Sequence, residues 1–161
     1  MSYLSQVKKP TPQAPVTTIV GFAGSGKSSL AGLFPSPIFI QAENATSVFE
    51  TMPEDLQPAF FPQLPIANAK RNIKTSEVLF EQLRELMTVE HGFKTVVIDS
   101  ITALNIMFEN EVVEFDDKGA SNIGEAQGGY NKGYLVVAGI HAKLRAACEH
   151  LRKRGISVVF L

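Results

Sequence analysis

Val16-Thr17-Thr18-Ile19-Val20-Gly21-Phe22-Ala23-Gly24-Ser25-Gly26-Lys27-Ser28-Ser29 decides how the rest of this chain is read. A short β-branched apolar run suited to a strand passes into a glycine-rich turn that satisfies G-x-x-x-x-G-K-[ST], with a helical pattern after it. Backbone N–H groups can wrap a chain of phosphates only where side chains do not intervene, and Gly21, Gly24 and Gly26 supply that freedom. Lys27 sets a mobile cation against the terminal phosphates and counts as catalytic, while the Ser28 hydroxyl suits Mg²⁺. The nucleotide-binding stretch comprises Gly21, Phe22, Ala23, Gly24, Ser25, Gly26, Lys27, Ser28 and Ser29, with no separate role for Ser29. The positive end of the following helix is expected to help hold the anion.

Working outward, the chain of 161 residues is long enough for one domain with a real core. With 45% hydrophobic and 19% charged residues, and no apolar run near the ~18 residues of a membrane span, composition points to a soluble protein with no membrane partner. Residues 1–15, with Lys8, Lys9 and three prolines, lack the apolar region of a secretory signal and read as a flexible tail before a core at 16–161. A single cysteine, Cys148, falls in a helical stripe and reads as a buried reduced thiol, which suits a cytoplasmic setting. The net charge of −1 leaves nucleic-acid partners open.

Strand signals lie at Val16 to Val20, Ile38 to Gln41, Thr95 to Asp99 and Ile156 to Leu161, apolar enough to be covered on both faces, with a weaker one at Leu64 to Ala67. A helix pattern carries Leu79, Leu83, Leu86 and Met87, with Thr75 or Ser76 as N-cap. A second runs from Ile101 to about Phe115 and a third from about Tyr134 to Arg154. Arg152, Lys153 and Arg154 suit the negative end of that last helix as well as they suit DNA. Alternating strands and helices predict an α/β fold, a three-layer domain around a mostly parallel sheet.

Two acids complete the chemistry. Lys94-Thr95-Val96-Val97-Ile98-Asp99 is a buried-strand pattern ending in a carboxylate, placed to hold Mg²⁺ opposite Ser28; the simpler role for Asp99 is N-cap of the next helix. Asp99 is followed by Ser100 rather than a glutamate, so another strand must supply the water-orienting base. Pro37-Ile38-Phe39-Ile40-Gln41-Ala42-Glu43 offers Glu43 just past its C-terminal end. His91, His141 and His150 lack metal-ligand spacing and read as surface or packing residues.

Taken together, "GFAGSGKSS", "IFIQAEN" and "VVIDSITAL" resemble the RecA-like P-loop ATPase core, whose catalytic glutamate follows the strand next to the phosphate loop and whose second acidic motif reads Asp-Ser. More narrowly, with "GGYNKGY" before a long helix, the chain resembles small phage-encoded recombinases of that superfamily that act in single-strand annealing. The resemblance spans residues 16 to 161. It implies an Mg²⁺-dependent ATPase with ATP and single-stranded DNA as partners, homo-oligomers in filaments or rings, and residence in the host cytoplasm. It also makes about Asp116 to Gly133 a DNA-contacting loop, in which Lys118, Tyr130, Asn131 and Lys132 mix stacking and phosphate-binding side chains. RecA-like cores continue past the strand matching Ile156 to Leu161, so the core is expected to be truncated, with turnover reduced.

A GTPase reading fails because Asn131-Lys132-Gly133-Tyr134 lacks the aspartate of the base-recognition motif. A transporter ATPase would need a Leu-Ser-Gly-Gly-Gln element that Gln127-Gly128-Gly129 does not match. A small-molecule kinase and a nucleotide-binding annealing or scaffold protein that does not hydrolyse remain as alternatives.

Overall fold

A computed structural model describes residues 3–7, 9, 11–44 and 46–161, without the side chain of Ser5. The elements run β1 (Val16–Thr18), α1 (Lys27–Gly32), β2 (Pro37–Gln41), β3 (Ala59–Phe60), α2 (Thr75–Thr88), β4 (Thr95–Asp99), α3 (Ile101–Glu114), α4 (Lys132–Lys153) and β5 (Ser157–Phe160), with short 3₁₀ turns between. Among the described residues the five strands form one sheet, ordered β1-β5-β4-β2-β3. All four pairings are parallel. The expected α/β architecture is therefore present.

Alternation along the strands builds the layers. Ile38, Ile40, Val96, Ile98 and Val158 face α2, α3 and α4 in the larger core cluster. Phe39, Val97 and Val159 point to the other face, where Ala31 of α1 and Phe49 cover them. That second layer is thin, and aromatic rings thicken it. Phe39, Phe49 and Phe60 meet with ring centroids 5.2 to 5.6 Å apart, contacts worth roughly 0.5–1.5 kcal/mol per pair beyond area burial.

Four expectations need correction. The run at Leu64 to Ala67 is not a strand. The edge strand is Ala59–Phe60, registered on Ile38 and Phe39. Pro62 and Pro65 bring no N–H to a ladder, and the nearby carbonyls are satisfied from side chains instead. Gln41 donates to the Phe61 carbonyl, Gln82 to that of Pro62 and Thr75 to that of Pro65. Second, β1 is not covered on both faces: it ends the sheet, and Val16 is 42% exposed. Third, neither Thr75 nor Ser76 is the N-cap of α2, which begins at Thr75 after Lys74. Its first turn is capped from another helix, because the Glu111 carboxylate accepts from the Ser76 N–H (2.7 Å) and hydroxyl (2.6 Å). Fourth, α1 is only six residues long, since Pro35 and Pro37 follow closely; so short a helix adds little macrodipole to the loop before it.

The remaining helices lie within two residues of their expected bounds. Arg154 caps α4 before Gly155, whose φ is +80°, and Arg152 pairs with Glu149 at 2.7 Å. Arg152 also donates to the Ala14 carbonyl, and the Val158 N–H to that of Pro15. Near the N-terminus Tyr3–Gln6 forms a 3₁₀ turn. No described helix is long and apolar enough to cross a membrane.

Candidate functional site

Parallel pairing brings the C-terminal ends of β1, β4 and β2 to one side of the sheet, and a cleft of about 560 Å³ opens there. Gly21, Lys27, Ser28, Glu43, Asp99 and Ser100 line it. The loop from Gly21 to Gly26 turns tightly, with Gly24 and Gly26 at φ of +75° and +80°, a region that favours glycine. A Cβ on Gly21 would lie 2.6 Å from the Ser25 hydroxyl oxygen, so the loop closes on itself there. The Lys27 ammonium donates to the Gly21 and Phe22 carbonyls at 3.0 Å each, which curls its side chain over the loop. Ala23 and Gly24 also line the cleft. The Phe22 side chain projects away and is 91% exposed, and Ser25, Gly26 and Ser29 are exposed.

From the first turn of α1, Ser28 donates to the Asp99 Oδ2 at 2.7 Å. Asp99 ends a strand buried along its whole length and is itself 6% exposed. Burial pushes its carboxyl above the usual carboxylate range; the bond from Ser28 opposes that rise, the charge of Glu43 adds to it, and the Lys27 cation opposes it. Asp99 is not the cap of α3. Ser100 takes that position, accepting from the Ala103 N–H at 3.2 Å.

Glu43 stands beside this pair. Strand β2 is separated from β1 by β4 and β5, so the strand carrying Glu43 adjoins the one carrying Asp99 rather than the phosphate loop. Gln41 and Asp99 are directly in register. The Asp99 carbonyl then accepts from both the Ala42 and the Glu43 N–H, at 2.8 and 3.2 Å. The Ser100 hydroxyl donates to Glu43 Oε1. In the sequence Ser100 registers as the place of a missing glutamate and as the second residue of an Asp-Ser motif, with no role of its own; the signal for its role is a hydroxyl directly after the strand carboxylate.

The donor set fits Mg²⁺ and a nucleotide. A hydroxyl and a carboxylate 2.7 Å apart are hard oxygen donors, and Mg²⁺ is typically held by one or two carboxylates together with phosphates. Among the described residues no group of three or more His, Cys, Asp or Glu side chains could form a metal cage. Two histidines serve packing, His141 meeting the Phe108 ring edge-on and bonding Asn105, and His91 contacting the Leu86 carbonyl, while His150 is exposed on α4. Burial lowers the pKa of His141 and pushes the Cys148 thiol up to about 11.

Lys118, Tyr130 and Asn131, on the connection between α3 and α4, and Lys132, the first residue of α4, are not among the residues lining the cleft. Asp116 organises that connection. Its Oδ1 accepts from the Gln127 N–H at 2.7 Å and its Oδ2 from the Lys118 and Ala120 N–H groups, and these bonds hold its carboxyl below the usual range. Gly133 packs so tightly under Ile123 that a Cβ would lie 2.4 Å from the Ile123 carbonyl oxygen. Lys118, Asn131 and Lys132 are exposed, and Tyr130 is 94% exposed.

A parallel sheet carrying a glycine-lysine-serine loop on one strand end and a carboxylate at its side defines the P-loop class of nucleotide-binding domains. The profile described as an AAA domain matches residues 13–161. The chain belongs to that AAA family, and with it to the nucleotide-binding ATPase class. No curated protein matches it.

Proposed function

We propose that this domain is an Mg²⁺-dependent ATPase of RecA-like type that works on single-stranded DNA in phage recombination or strand annealing, as a homo-oligomer. The observation that carries the reading is the convergence of Lys27, Ser28, Asp99 and Glu43 on one cleft. In this reading Ser28 and Asp99 hold Mg²⁺, which when bound offsets the charge gathering on the phosphates. The loop amides and Lys27 bind the polyphosphate, exchanging the Gly21 and Phe22 carbonyls for phosphate oxygens as partners of the ammonium. Glu43 accepts a proton from the attacking water or orients it. The exposed Tyr130, between Lys118 and Lys132, supports the DNA contact, since a bare ring with flanking cations suits base stacking and phosphate binding.

Phosphate release and calorimetric ATP binding, each with and without single-stranded DNA, test this. Lys27→Ala should abolish binding or turnover. Glu43→Gln should bind ATP with near wild-type affinity and lose about 10²- to 10⁴-fold in rate, the usual contribution of a general base. Wild-type hydrolysis by Glu43→Gln would remove Glu43 from the mechanism. Binding without release in the wild type would favour the non-hydrolysing scaffold.

A further inference from the structure

Glu43 follows the last residues of β2 on an exposed turn, and its side chain has three rotatable torsions. Its backbone is fixed to β4 by the N–H bond to the Asp99 carbonyl, but that bond leaves the carboxylate free to swing. Among the described residues the one hydrogen bond to that carboxylate comes from the Ser100 hydroxyl, to Oε1. Ser100 is 8% exposed and sits where β4 passes into α3. Its oxygen accepts from the Ala103 N–H. A hydroxyl has one proton and rotates to suit its surroundings; with an oxygen lone pair committed to the helix amide, the proton is turned toward Glu43.

We infer that Ser100 is a positioning residue for Glu43: one hydroxyl caps α3 and clamps Oε1, leaving Oε2 to meet a water in the cleft. This inference rests on the reading of Glu43 as the water-orienting group. It also explains why a neutral donor follows Asp99, because an acid there would put a third negative charge beside Asp99 and Glu43 and could not donate to Glu43. A residue needed only for the helix cap would change stability; a clamp on the base changes turnover through Glu43 alone.

The test is steady-state ATP hydrolysis with thermal unfolding measured alongside. Ser100→Ala should lower kcat about tenfold or more with KM and ATP affinity within about twofold, and Ser100→Thr, which keeps the hydroxyl, should recover most of the rate. In a Glu43→Gln background Ser100→Ala should change kcat by less than about twofold, since the clamp then has no base to place. Should Ser100→Ala fail to fold, Ser100→Gly is tolerated at an N-cap nearly as well as serine, adds no charge and has no proton to donate, and the same loss of kcat is expected. If Glu43→Gln is inactive while Ser100→Ala turns over at the wild-type rate, the clamp is refuted and the base stands. If Glu43→Gln itself hydrolyses normally, the base and the clamp fall together.

Discussion

Gly32, the last residue of α1, offers the sharpest test of how the phosphate loop is anchored. A Cβ built there would lie 2.5 Å from Phe49 Cε1, 3.2 Å from Cζ and 3.5 Å from Cδ1. Carbon atoms pack best at about 3.5–4.0 Å, so Gly32→Ala requires the Phe49 ring to retreat by about 1 Å or more. The ring is 2% exposed and packed against Phe39 and Phe60. Overpacking of this kind costs about 1–3 kcal/mol, and the better helix propensity of alanine, at most about 1 kcal/mol and less at a helix end, offsets only part. The net loss should be about 1–2 kcal/mol, a fall in Tm of roughly 2–8 °C for a chain this size. Phe49→Leu removes the two closest atoms, so in that background Gly32→Ala should be neutral or stabilising. Thermal denaturation of the four proteins gives a double-mutant cycle with an expected coupling of about 1–3 kcal/mol. Effects that add within about 0.5 kcal/mol would show that α1 is not seated on Phe49 as described.

Two further outcomes are expected. Because burial holds Asp99 above its ordinary value near 3.8, the folded state keeps the proton more tightly than the unfolded state. The stability linked to Asp99 is therefore highest below the unfolded value and falls as pH rises through the raised folded one. Asp99→Asn should melt higher than wild type at pH 7, by a margin that narrows toward pH 4, while losing Mg²⁺-ATP stabilisation; a lower melting temperature at pH 7 would contradict the burial argument. For the DNA reading, Lys118→Ala and Lys132→Ala should each flatten the salt dependence of oligo-dT binding, by about 0.7 in log–log slope for each phosphate no longer neutralised. Anisotropy titrations with unchanged slopes would exclude this loop as the DNA-binding element.

The loop motif was legible because its constraints are local. Gly24 and Gly26 occupy backbone angles that only glycine adopts easily, and Lys27 and Ser28 follow in fixed order. Strands β2 and β4 were legible for a similar reason, being runs buried on both faces. Leu64 to Ala67 has the composition of a strand, yet Pro65 brings no N–H to a ladder, and its carbonyl, like those of Phe61 and Pro62 just before it, is bonded by a side chain from elsewhere: Thr75, Gln41 and Gln82. The cap of α2 was invisible for the same cause, since Glu111 lies a helix away.

By itself the sequence determined that a glycine-rich loop ending in Lys27-Ser28 joins a strand to a helix, that Asp99 ends a buried strand and that Glu43 lies just past the end of another, because those properties depend on residues close along the chain. Only the tertiary structure decided that β2 lies beside β4, that Asp99 meets Ser28, and that Ser100 rather than Asp99 caps α3 while holding Glu43. Sheet order and side-chain pairing arise from packing between segments far apart along the chain, such as Val16 beside Val158 and Ser28 beside Asp99, and no local periodicity encodes which strand ends will become neighbours.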